Sequence, residues 1–73
     1  MGLEVVMSEI KEYANECVWK NKFECVKAPD SAIIAYLKTL MYEKDFELFM
    51  RYKEMLLKVF RETAKEELDW LNS

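Results

Sequence analysis

The residues best equipped for chemistry in this chain are few. Cys17 and Cys25 are its two cysteines, eight residues apart, and there is no histidine. A reactive thiol needs a base or a cation beside it to lower its pKa. The imidazole that usually does this is missing, although Lys20, Lys22 and Lys27 lie nearby in sequence. Nor do two cysteines at this spacing make a zinc site, which draws four ligands from Cys and His. The leading expectation is a pair of buried free thiols. A disulfide closing a short loop is the alternative, and redox sensing the third.

Carboxylates are plentiful, and Glu66, Glu67 and Asp69 form the densest cluster. Neighbouring positions on a helix diverge, so these three do not converge on a metal ion as oxygen ligands must. The chain's single glycine, Gly2, sits at the terminus, so no glycine-rich loop can cradle a phosphate. Without histidine there is no Ser–His or Cys–His pair either. No catalytic, cofactor-binding or metal-binding residue is therefore assigned, and a non-enzymatic protein is expected. The aromatic and methionine side chains recur at helical spacing, which points to core or interface rather than to a ligand pocket.

Composition sets what must position these residues. With 73 residues the chain suits a single domain, residues 1–73. Hydrophobic residues make up 52% and charged residues 34%, both above the usual share of about 45–50% and about 25%. One Gly, one Pro and no Gln leave little material for loops or sheets and suit long helices. Lys/Glu enrichment leans towards a thermophilic source; an AT-rich genome would give the same bias. The net charge of −3, with acids and bases interleaved, gives no basic field for nucleic acid. Residues 1–10 have no basic start, and Glu4 and Glu9 interrupt them, so no signal peptide is expected. The longest uncharged run elsewhere is too short to cross a bilayer. A soluble, cytoplasmic protein is expected.

Periodicity predicts three helices. Leu3, Val6, Ile10, Tyr13 and Cys17 step by three and four, predicting a helix over about residues 3–20. A Ser8 N-cap preceded by a short strand is the alternative. Residues 20–29 interrupt the pattern; Phe23 and Val26 read as tucked onto the core. Pro29, Asp30 and Ser31 suit a helix start, since proline lacks the N–H that the first turn leaves unpaired. Ile33, Ile34, Leu37, Leu40 and Met41 then give one apolar face, predicting a helix over 30–43.

From Asp30 to Ser73 there is no Gly or Pro, so a continuous helix has to be considered. At about 100° per residue, the stripe of Ile33, Leu37 and Leu40 points nearly opposite to that of Phe49, Phe60 and Ala64. A break at residues 43–45, with Asp45 as the next N-cap, resolves the conflict and predicts a third helix over 46–71. Its core set is Phe46, Phe49, Met50, Leu57, Phe60, Ala64, Leu68 and Leu71. A second set, Leu48, Tyr52, Met55 and Val59, widens the apolar surface beyond what two short helices can cover. Trp70 is either a seal on the end of the bundle or an interface anchor.

The expected fold is all-α, a small three-helix domain (helices about 3–20, 30–43 and 46–71) with antiparallel neighbours, pairing into a homodimeric bundle. The expected function is a protein–protein interaction module, such as an adaptor, inhibitor or assembly subunit. Its surface would be Leu48, Tyr52, Met55 and Val59, with Trp70. Self-association is the first expectation for a partner, and another protein the second. One further pattern bears on function. Residues 26–30, then 31–43 and 45–60, resemble the strand, Pro-initiated helix and second helix of ribbon-helix-helix DNA-binding proteins. That resemblance implies a dimeric regulator with a two-stranded ribbon in the major groove. The ribbon here would be Phe23, Glu24, Cys25, Val26 and Lys27. Lys27 could contact phosphate and Glu24 would repel it, and the usual glycine between the helices is absent.

Overall fold

A computed structural model describes residues 2–20 and 24–73. It contains four helices among those residues, not three: α1 (Leu3–Lys20), α2 (Asp30–Leu40), α3 (Glu43–Arg51) and α4 (Lys53–Leu71). The domain is a small all-α bundle, as its composition implies. The number of helices is corrected because the chain leaves helical geometry twice after Pro29.

The first break falls at Met41 and Tyr42, ahead of the expected 43–45. Both residues are extended, with φ/ψ of −94°/148° and −64°/153°. Tyr42, not Asp45, is the N-cap of α3. Asp45 and Glu43 lie within the first turn instead, where carboxylates meet the positive end of the helix dipole. The second break is at Tyr52, with φ −112° and ψ 35°. Its N–H is shared between the carbonyls of Leu48 (3.3 Å) and Phe49 (3.1 Å), a bifurcated helix ending. Phase could not reveal this break. Phe49, Leu56 and Phe60 fall on nearly the same face of an ideal helix, so the apolar stripe runs through Tyr52 without a slip.

The core is where the four stripes meet. α1 contributes Val6, Ile10, Ala14 and Cys17; α2 contributes Ile33 and Leu37; α3 contributes Phe49; α4 contributes Leu56, Leu57, Phe60 and Ala64. Met41 and Cys25 complete it from the connections. α1 packs chiefly along α4, and the fully buried alanines Ala14 and Ala64 suit a close approach of the two helices. Trp19, near the end of α1, bonds Glu67, near the end of α4, so the two helices have their carboxyl ends together. Between them α2 starts against α4 and ends against α1. Arg61 pairs with Asp30 and donates to the Ala28 carbonyl at 3.1 Å, while the Tyr13 hydroxyl donates to the Leu40 carbonyl at 3.4 Å.

Cys17 and Cys25 are joined, with Cα atoms 6.4 Å apart, inside the range a disulfide spans. The leading expectation of free thiols is corrected: the bond ties the end of α1 to the turn before α2. That turn is closed by Glu24, whose carbonyl accepts from Lys27 (3.2 Å) and Ala28 (2.8 Å). Residues 24–28 are thus curled and not extended as a ribbon would require. Val26 packs partly against the core, as expected; Phe23 lies outside the described residues.

Candidate interaction surfaces

The five residues singled out from sequence do not form one patch. Leu48 and Val59 are half-buried and pack against the core, each flanking a fully buried phenylalanine one residue on, Phe49 and Phe60. Tyr52 and Met55 stay exposed and come together at the junction of α3 and α4. With Met50, Arg51, Lys53 and Glu54 they line an open depression of about 420 Å³. Trp70 lies apart from them, about 22 Å along α4 from Met55 at the helical rise of about 1.5 Å per residue.

Met50 belongs to this surface although its spacing assigned it to the core. Leu68 and Leu71, also assigned to the core, are exposed too. Their stripe continues past Ala64, the last buried residue of α4. Trp19 was missed outright and is 61% exposed. A signal for it did exist: Trp19 stands about 200° around the helix from Cys17, on the outer arc of α1 where a tryptophan is out of place. Leu56 was placed in neither apolar set of the last helix, yet it is fully buried.

Charge on the surface is mostly paired or solvated. Lys20 bridges Glu16 at 3.1 Å, an exposed i,i+4 pair. The Arg61–Asp30 pair is partly shielded on the arginine side. The exception is Glu9 in α1. Its Oε1 is shut off from solvent without a hydrogen-bond partner. Burial first, then the neighbouring Asp45 of α3, pushes the Glu9 carboxyl above its ordinary value, with Glu12 adding to the rise and the Tyr13 hydroxyl opposing it. Burial likewise raises the Tyr13 phenol, helped by Glu9, Glu12, Glu16 and Asp45.

Among the described residues, no group of three or more His, Cys, Asp or Glu could hold a metal ion. Glu66 and Asp69 are exposed while Glu67 is half-buried and accepts from Trp19 at 2.6 Å, so the acidic cluster of α4 diverges. No helix among these residues is long and apolar enough to cross a membrane. The chain matches no family model, and neither curated proteins nor solved structures contain a significant match to it.

Proposed function

We propose that this chain is a small non-enzymatic interaction module that self-associates as a homodimer through the junction of α3 and α4, in the role of an adaptor, inhibitor or assembly subunit. The observation that carries the proposal is the exposure of Met50, Tyr52 and Met55 side by side around one open depression. Three large apolar side chains in contact with water favour burial against a partner. The rim suits a second copy, because Arg51 and Lys53 lie beside Glu54. In a twofold interface each patch meets its own image, so the bases of one protomer can face the acid of the other. The non-enzymatic reading rests on the missing imidazole and phosphate loop in the sequence.

A cytoplasmic location remains part of the proposal. The buried disulfide fits that compartment if the source is a hyperthermophile, where intracellular disulfides are common. The Lys/Glu-rich composition supports such a source.

The test is the mass in solution by light scattering across a concentration series. The wild type should run as a dimer, and Met55→Glu should shift it to monomer while leaving its circular dichroism unchanged. A wild type that stays monomeric at millimolar concentration would sink the proposal.

A further inference from the structure

Among the four helices α3 is the least anchored. Non-helical residues set it off at both ends, Met41 and Tyr42 before it and Tyr52 after it. One of its side chains, Phe49, is fully buried, while Phe46 and Leu48 pack partly against the core. Segments with few buried contacts open locally at lower cost than the rest of a domain. The seating of α3 therefore depends on what its first turn meets on α1.

That contact is made by two acids. Asp45, in the first turn of α3, lies within hydrogen-bonding reach of Glu9 on α1. Both residues are half-buried. Glu9 Oε1 is closed off from solvent without a hydrogen-bond partner. A buried carboxylate oxygen lacking a partner costs more than the same oxygen of a neutral acid. The charges that act most strongly on Glu9 are negative, Asp45 from α3 and Glu12 from α1 itself. The Tyr13 hydroxyl has one proton to divide between Glu9 and the Leu40 carbonyl at the end of α2. The lysines nearest along the chain, Lys11, Lys38 and Lys44, are exposed. Lys11 and Lys44 stand about 200° and about 100° around their helices from Glu9 and Asp45. One proton resolves the arrangement. The positive end of the α3 dipole faces Asp45, so the proton sits on Glu9, whose O–H donates to the Asp45 carboxylate. The Glu9 carboxyl is accordingly held above its ordinary value, by burial first and Asp45 second.

We propose that Glu9 and Asp45 form a proton-operated clasp between α1 and α3, closed when they share a proton and released when both are ionised. As pH rises through the folded value of Glu9, the proton leaves, two carboxylates face each other, and the first turn of α3 lifts from α1. Opening releases that proton in the window between the ordinary glutamate value and the folded one. The opened population therefore grows with pH across that window, by up to about tenfold per pH unit for one proton. Met50 and Arg51, which line the depression at the α3–α4 junction, ride on the same helix. The clasp thus sets how firmly one wall of that surface is held.

The test is amide hydrogen exchange of the full-length protein from about pH 4 to about pH 8, corrected for intrinsic exchange so that it reads opening alone. The amides of Phe46 to Phe49, the first that α3 bonds internally, should lose protection as pH rises. Those of Leu57 and Phe60 in α4 should not. Glu9→Gln keeps a neutral donor for Asp45 at every pH, so it should hold the α3 amides protected and flatten their pH dependence. Asp45→Asn should flatten it too. Glu43→Gln changes a carboxylate of the same first turn, about 200° around α3 from Asp45, and should leave the dependence in place. The clasp is overturned by α3 protection that ignores pH in the wild type, or by a pH dependence that survives Glu9→Gln. Equal loss in α3 and α4 also overturns it, since that would be global destabilisation. Neither Glu9 nor Asp45 lines the depression, so Met55→Glu should show the wild-type dependence whether or not the chain pairs. A dependence that vanishes in Met55→Glu would place the titration in the dimer contact and overturn the clasp.

Discussion

Reduction of the Cys17–Cys25 bond should cost this domain a large part of its stability. Reducing the wild-type protein is the cleanest perturbation, because it removes the crosslink while keeping every heavy atom. The bond spans eight residues of sequence, and a loop of that size restricts the unfolded chain by about 2.5 kcal/mol at 25 °C in the chain-entropy account. A domain of this length is stable by only about 4–11 kcal/mol, at about 0.05–0.15 kcal/mol per residue. With an unfolding entropy near 2.1 cal/mol/K per residue, the same loss lowers Tm by about 16 °C. Both sulfurs are buried, so the two thiols must also be accommodated at van der Waals separation in a packed interior, which adds to the cost. The assay is thermal unfolding followed by far-ultraviolet circular dichroism, with and without a phosphine reductant. Intact mass before and after alkylation scores the thiols. Two free thiols in the untreated protein would refute the bond itself. A bonded protein whose Tm falls by less than about 4 °C on reduction would refute the crosslink as a stabiliser.

Two further outcomes are expected. Glu9→Gln should stabilise the protein at neutral pH. The folded state raises the Glu9 pKa, so the protonated form is favoured there; its contribution is complete below the ordinary glutamate value and is lost as pH rises through the folded value. The advantage of Gln should therefore be present at pH 7 and vanish near pH 4, and an equal effect at both would show that burial and Asp45 do not act on this carboxyl. Leu56→Ala and Met50→Ala separate tertiary structure from pattern: Leu56, fully buried, should lose about 2–5 kcal/mol and exposed Met50 less than about 1 kcal/mol in urea unfolding. Similar losses at the two sites would contradict the arrangement of α3 and α4.

Which apolar side chains stay exposed depends on where helices end. At the α3–α4 junction, the departure of Tyr52 from helical geometry brings Met50 and Met55 to either side of one depression. In one unbroken helix the two would stand about 140° apart, facing different directions. At the far end, Leu71 continues the seven-residue spacing of Leu57 and Ala64 yet is exposed, because the buried stripe stops at Ala64. Periodicity reports which residues share a face and is silent on how far a neighbour covers that face. The expected surface of Leu48, Tyr52, Met55, Val59 and Trp70 was therefore legible only in part. Tyr52 and Met55 line one depression, Leu48 and Val59 turn partly inward, and Trp70 stands exposed in the last turn of α4.

By itself the sequence determined the helical class, both ends of α1, the start of α2 beside Pro29, and the existence of a break after α2, expected at 43–45 and found at Met41 and Tyr42. Each is a local matter: spacing at three and four, a missing proline N–H, and a reversal of the apolar stripe between Leu37 and Phe49. It also determined that Cys17 and Cys25 were close enough along the chain to be joined. Tertiary structure decided that they are joined, because the turn of residues 24–28 carries Cys25 back to the end of α1. It decided the break at Tyr52, which leaves the apolar phase undisturbed and so has no signature in spacing. It decided too that Leu56 is core and Met50 surface. Those outcomes depend on which neighbour occupies each flank of α3 and α4, a non-local quantity that no window along the chain contains.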